Sequence, residues 1–273
     1  MPDNIDLSAM DSIPVEVDGH QRLRRFWSAP TVKFWDGIWS STDSESYWQS
    51  AALGNLGEYE SLYLKHFTKG SRVLEAGCGV GQIVIGLRAR GIAAEGLDYA
   101  DETIRELNTR FPAIPFHLGD VRTLPFADRS FDGMISLGVI EHFCNGQRQI
   151  LSEAGRVLRG GAVLLVSVPF LNQYRLKKIQ RGEYKTHTTK PFFEDCFTKE
   201  ELTCLLTEAG FDLMGFRASN PVMTFVQESR LRSAYRIVED TRYPRSLVDR
   251  GLRLLLSEEH YGHMVVASAI KRR

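Results

Sequence analysis

The sequence lacks any apolar run approaching the roughly 20 residues that a membrane-spanning helix needs; residues 162–168 are among its longest. That excludes a transmembrane helix and predicts a soluble protein. A charge of one sign is also missing. Lys+Arg and Asp+Glu both number 34, so the formal net charge is zero and no global field draws the chain to nucleic acid or to an anionic membrane. Cysteine is sparse: Cys78, Cys144, Cys196 and Cys204 form no CxxC pair and have no regular spacing to histidine. Free thiols in a reducing cytosol are expected, with no disulfide framework and no metal site. Asp3, Asp6 and Asp11 stand where a secretory signal would carry basic and then apolar residues, so the expected location is cytoplasmic. The chain has no internal repeat, no low-complexity tract and no tryptophan beyond Trp48.

With 273 residues and 43% hydrophobic content, the chain can fill one large domain, or one domain with a cap. From Arg72 onward, short apolar runs alternate with helix-period segments. Residues 72–75 read as a buried strand feeding a glycine loop, and 83–90 as a helix closed by Gly91. A second strand, 92–97, runs into Asp98; the helix 102–110 stops before Pro112; a third strand, 114–118, ends at Gly119-Asp120. Further strands are predicted over 133–137, 162–168, 212–217 and 263–271, and further helices over 147–158 and 198–209. Such alternation is the pattern of a doubly wound α/β fold, a mainly parallel sheet with helices on both faces. Right-handed crossovers then bring the strand C-termini, carrying Glu75, Asp98, Asp120 and residues 137–142, to the edge where these folds bind ligands.

The loop Glu75-Ala76-Gly77-Cys78-Gly79-Val80-Gly81 has the glycines that a tight turn and a closely approaching ligand require. Dinucleotide sites use a similar turn, but their G-x-G-x-x-G spacing, counted from Gly77, would need glycine where Gln82 stands. Glu75 also puts a carboxylate where a pyrophosphate would sit, whereas a ligand carrying an ammonium and a sulfonium tolerates it. Asp98 is positioned to accept hydrogen bonds from a ribose diol, and Asp120 one from an adenine amino group.

The segment Val73-Leu74-Glu75-Ala76-Gly77-Cys78-Gly79-Val80-Gly81-Gln82 resembles motif I of the class I S-adenosylmethionine (SAM)-dependent methyltransferases. Gly96-Leu97-Asp98-Tyr99 resembles the family's ribose-binding strand end, Gly119-Asp120-Val121 its adenine site, and Ser130-Phe131-Asp132 through Glu141-His142-Phe143 its fourth strand and the following loop. The likeness covers about residues 65–217 and resumes at the last strand. It implies a Rossmann-like seven-stranded sheet whose last strand is antiparallel, SAM as cofactor and S-adenosylhomocysteine as product. By this resemblance Gly77 and Gly79 touch the methionine end, Asp98 the ribose hydroxyls, Tyr99 and Val121 the adenine faces, and Leu137-Gly138 wall the methionine. Glu75, Cys78, Gln82 and Asp120 complete the expected cofactor site.

Each assignment has a plainer counterpart. Asp98 and Asp120 alone would read as solvated carboxylates at strand ends, and Cys78 as a small residue fitting a turn. His142 follows the fourth strand, close to the expected methyl group; it is a candidate proton acceptor for an acceptor hydroxyl or amine, or else lines the pocket without proton transfer. Methyl transfer from a sulfonium needs mainly alignment and exclusion of water, so a base is optional. His117, beside Phe116 in a strand, reads as packing.

Residues 1–64 are expected to form a Trp-rich arm and a helix over 46–67, together a candidate lid on a domain of residues 65–273. Segments 171–196 and 220–262 read as insertions forming a cap, the latter with helices over 226–238 and 246–256. Trp27, Trp35, Trp39 and Trp48 either line an apolar acceptor site or anchor the arm. Arg175, Lys177, Lys178, Arg181, Lys185 and Lys190, interleaved with aromatics, would suit an anionic or aromatic acceptor, or RNA, unless they form a solvated face. The expected activity is methyl transfer to oxygen, nitrogen or carbon of a small molecule, by a monomer or homodimer without stable nucleic-acid partner. RNA or protein methylation, or an inactive SAM-binding partner or regulator, are the alternatives.

Overall fold

Period-two apolar patterning decides the architecture. Adjacent residues on each central strand bury on opposite faces: Leu74, Met134, Leu164 and Val265 enter one core, while Val73, Ile135, Leu165 and Val266 enter the other. The structure, a computed structural model, describes residues 10–228, 251–252 and 254–273. Its strands are β1 (Asp11–Val17), β2 (His20–Phe26), β3 (Arg72–Ala76), β4 (Ala93–Asp98), β5 (Phe116–Leu118), β6 (Phe131–Leu137), β7 (Leu158–Pro169), β8 (Phe192–Cys196), β9 (Phe211–Ser219) and β10 (Met264–Lys271). Seven of them form one sheet in the order β5-β4-β3-β6-β7-β10-β9. Neighbours from β5 through β7 are parallel, and β10 runs antiparallel to both β7 and β9. The fold is the expected Rossmann-like α/β sheet with its last strand reversed.

The helices α1 (Val32–Ser40), α2 (Ser44–Ala52), α3 (Glu60–His66), α4 (Gln82–Ala89), α5 (Asp101–Arg110), α6 (Gln147–Val157), α7 (Gln173–Gln180), α8 (Lys199–Glu208), α9 (Pro221–Glu228) and α10 (Glu258–Tyr261) supply the covering layers. On one face α6 and α8 deliver Ile150, Leu151, Leu202 and Leu206; on the other α3 and α4 deliver Tyr63, Val84, Ile85 and Leu87. A fully buried Leu-sized side chain contributes about 1.5–3 kcal/mol relative to exposure, so these two layers dominate the stability of the sheet. The close approach of α3's following residue, Phe67, requires glycine at position 133 of β6: a Cβ there would lie 2.2 Å from the Phe67 ring.

Two expectations are corrected. The helix expected over 46–67 is broken into α2 and α3, joined by a 3₁₀ turn at Gly57–Tyr59. Gly54 and Gly57 adopt φ of +81° and +71°, left-handed values that no continuous helix accepts. The N-terminal arm is also more than aromatic anchors. β1 and β2 form a hairpin through Asp18-Gly19, with φ of +51° and +76°, and β2 pairs antiparallel with β8, so arm and insertion build a second, three-stranded sheet. Of the helices expected over 226–238 and 246–256, residues 229–250 lie outside the described residues.

That second sheet is joined by charge. Arg22 is buried against Asp195 at 2.8 Å and Glu201 at 2.6 Å, Arg24 meets Asp195 at 2.8 Å, and Arg25 meets Glu194 at 2.6 Å. Breaking one partner of such a buried pair costs about 3–5 kcal/mol because the other charge is stranded. The sheet packing itself yields a steric prediction. Gly133→Ala should destabilise the protein by about 1–3 kcal/mol through overpacking against Phe67, measured by chemical denaturation; unchanged stability would contradict the packing described.

Candidate active site

The loop between β3 and α4 is shaped by backbone hydrogen bonds to β4. The N–H groups of Gly77 and Cys78 both donate to the Leu97 carbonyl, at 2.7 and 3.0 Å. The Gly79 N–H donates to Asp98 Oδ2 at 2.8 Å, and the Ala100 N–H to Asp98 Oδ1 at 3.0 Å. Each carboxylate oxygen keeps lone-pair capacity for a further donor. Burial raises the Asp98 carboxyl, against the lowering effect of the N–H groups of Ala100, Gly79 and Tyr99. Gly77 has φ +82°, and a Cβ on it would lie 2.3 Å from Val139.

A cavity of about 280 Å³ opens over this loop at the C-terminal edge of the sheet. Every residue named from the sequence as a cofactor contact lines it: Glu75, Gly77, Cys78, Gly79 and Gln82 on the loop, Asp98 and Tyr99 after β4, Asp120 and Val121 after β5, Leu137 and Gly138 after β6. His142 joins them. Glu75 is buried with Oε2 unpartnered; burial, reinforced by the charge of Asp98, pushes its carboxyl well above the usual carboxylate range. It lies near the end of β3 and lines the cavity. Cys78 is buried and burial holds its thiol well up, which suits a packing role.

Two side chains are already engaged. Tyr99 donates its hydroxyl to the Pro30 carbonyl at 2.8 Å, leaving only its ring to the cavity. Asp120 is tied to Arg122, whose Nη2 lies 2.6 Å from Oδ2, and whose backbone N–H donates to Oδ1 at 2.8 Å. His117, outside the cavity, lies 3.1 Å from Glu95 Oε2 and packs on Phe126.

The cover over the cavity comes from α1, whose contribution the sequence left open. Trp35 and Trp39 stack on each other with centroids 5.7 Å apart, and both line the cavity. The Trp39 ring lies so close to Gly79 that a Cβ there would be 2.8 Å from it. Asp36 Oδ1 accepts from the Thr103 N–H at 3.2 Å and hydroxyl at 3.1 Å, clipping α1 to α5. Trp27 and Trp48 do not reach the cavity: Trp27 packs on Phe34 and Phe193, and Trp48 donates to the Val80 carbonyl at 2.7 Å.

His142 sits in a 3₁₀ turn, Ile140–His142, beneath this cover. Its Nδ1 lies 2.9 Å from the Phe193 carbonyl and must donate to it, which leaves Nε2 as the acceptor nitrogen of a neutral ring. Trp35 and Phe193 meet the ring edge to face at 5.0 and 4.8 Å. Burial lowers its pKa, with Glu194 opposing. Glu141, His142 and Glu194 bring ligand-type atoms within 4.8 Å of one another, but Arg25 already supplies the positive charge beside Glu194.

Relatives agree with this geometry. A family described as a methyltransferase domain matches residues 74–166. Over those residues the chain is similar to a methyltransferase domain, and its relatives include SAM-dependent methyltransferases. A probable SAM-dependent methyltransferase of Mycolicibacterium smegmatis is 34% identical over 174 residues, 62% of this chain and 61% of that protein. A malonyl-[acyl-carrier protein] O-methyltransferase of Hamiltonella defensa is 32% identical over 127 residues, 46% of this chain and 49% of that protein. The chain thus spans about half to three fifths of these relatives. A SAM-dependent methyltransferase structure from Methanosarcina mazei shares the fold, with a TM-score of 0.54 and 21% identity over 77% of this chain and 97% of that one. SAM is accordingly the methyltransferase domain's cofactor, and the orphaned Glu75, the glycine cradle and the Asp98 acceptors fit it.

Asp98→Ala should weaken SAM binding about tenfold or more, the loss of hydrogen bonds to a charged acceptor being about 1.5–3 kcal/mol. The ionised carboxylate is the form that accepts from a diol. Because burial raises Asp98, wild-type affinity should fall as pH drops through that raised value. Calorimetry across pH checks both; affinity indifferent to the substitution would remove Asp98 from the site.

Proposed function

We propose that this chain transfers the methyl group of SAM to an oxygen, nitrogen or carbon nucleophile of a small-molecule acceptor by in-line displacement. Gly77 and Gly79 take the methionine end, with Glu75 accepting from its ammonium; Asp98 takes the ribose diol; Tyr99 and Val121 flank the adenine, whose amino group faces Asp120. Cys78, Gln82, Leu137 and Gly138 complete the wall. SAM supplies an activated methyl on a good leaving group, so the protein's work is to align the acceptor and keep water out. The N-terminal arm does this as a lid, with Trp35 and Trp39 over the cavity.

The observation that carries this reading is the acceptor nitrogen of His142 on the cavity side of a ring fixed by Phe193. The ring would take the acceptor's proton as the methyl arrives, which suits a hydroxyl or amine. The Hamiltonella relative is named an O-methyltransferase, in keeping with an oxygen nucleophile. Much of the basic residue content in segment 171–196 is spent internally: Arg175 and Lys178 on Glu228, Lys185 and Lys190 on Asp11, Arg181 on Glu183. That weighs against RNA and for a small acceptor.

Incubation with methyl-labelled SAM and fractionated metabolites should transfer label to a small hydroxyl- or amine-bearing compound. With that compound in hand, His142→Ala should lower the turnover rate about 100-fold or more while leaving SAM affinity intact. Label appearing only in RNA or protein would overturn the assignment of acceptor class.

A further inference from the structure

The three-stranded sheet built by the arm and the insertion meets the cavity lining at Phe193 of β8, whose carbonyl and ring both contact His142. Phe193 gives its carbonyl to His142 Nδ1, and the next residue, Glu194, is fully buried in the same cluster. Glu194 Oε1 is held by Arg25 of β2 at 2.6 Å, while its Oε2 has no partner among the described residues. Glu141, from the turn carrying His142, is also fully buried, with both oxygens unpartnered among the described residues. A buried carboxylate without a partner costs several kcal/mol, and packing does not call for one here.

We infer that Glu194 is a positioning residue for His142, holding negative charge beside the ring so that it can carry a proton inside the closed site, with Arg25 setting how much of that charge His142 feels. The inference rests on the reading of His142 as proton acceptor. In the step it serves, the acceptor atom bonds to the methyl carbon, the carbon–sulfur bond breaks with its electron pair going to sulfur, and the acceptor's proton goes to Nε2. The positive charge moves from sulfonium to imidazolium and never leaves the cavity. An imidazolium in so buried a place needs an anion next to it, and Glu194 is that anion.

Among the described residues, the charged groups around the ring are few. Its own turn brings Glu141, β8 brings Glu194, β2 brings Arg25, and behind Arg25 stands Glu228 of α9 at 3.3 Å. The α1 face against the ring is Trp35, uncharged, and Asp36 of that helix is taken by Thr103. Glu194 and Arg25 should therefore push His142 in opposite directions. That signature separates an electrostatic role from a structural one, because loosening the site would move both variants the same way.

The test is an NMR titration of the histidine rings in the full-length protein saturated with S-adenosylhomocysteine, with His142 assigned through His142→Gln. Glu194→Gln should lower the His142 pKa by about one unit or more, and Arg25→Gln should raise it. Shifts of the same sign, or none in either variant, overturn the inference. Should either variant fail to fold, Glu194→Asp and Arg25→Lys replace them: drawing the carboxylate back should lower the His142 pKa and weakening its arginine partner should raise it, and shifts of the same sign or none overturn the inference. No turnover is needed, so failure here is distinguishable from failure of the methyl-transfer reading.

Discussion

The buried carboxylate of Asp98 is where the fold and the cavity at its edge become one object. One of its oxygens accepts from the Gly79 N–H of the glycine loop and the other from the Ala100 N–H at the start of α5. The loop that follows β3 is thereby tied to the end of β4, with Gly77 and Cys78 adding their N–H groups to the Leu97 carbonyl. A ligand that places a diol over Asp98 meets a carboxylate already oriented by backbone donors, so no reorganisation is needed when it binds. Every other wall of the cavity is set relative to this pair of strand ends.

Above that floor, the cavity is closed by parts that the minimal sheet does not contain. The arm delivers α1 and its two stacked tryptophans, and is secured at each end, by Asp36 on Thr103 and by the hairpin on β8. The hairpin interface is built largely of arginine–carboxylate pairs, which are poor contributors to net stability but demanding in geometry. Their directionality fixes β8, and β8 fixes His142 through the Phe193 carbonyl. The three-stranded sheet and the cavity edge at His142 are in this way joined.

The sheet was legible in the sequence because its strands are nearly continuous apolar runs ending in glycine or aspartate, and because helix-period segments separate them. The cavity lining was legible for the same reason: Glu75, Asp98, Asp120 and Leu137 fall at or just after strand ends, which the fold brings to one edge. The arm was not. Its hairpin is carried by HQRLRRF, in which arginines occupy two of the three buried positions and Leu23 the third, so no apolar alternation marks it; Asp18-Gly19 was the one local signal that could have found it. The break in the helix after Ala52 turns on left-handed backbone at Gly54 and Gly57, and glycines inside a helical pattern are ambiguous until their φ is known. Partnering is the third thing that sequence withholds: Tyr99 and Asp120 both line the cavity, yet the hydroxyl of one belongs to Pro30 and the carboxylate of the other is shared with Arg122.

The most direct test of this picture is a crystal structure of the protein with S-adenosylhomocysteine. The ribose diol should lie on Asp98, the ammonium near Glu75 and Gly77, the adenine between Tyr99 and Val121, and the sulfur on the side of His142 beneath Trp35. A ligand bound away from Asp98, or one whose sulfur faces away from His142, would contradict it.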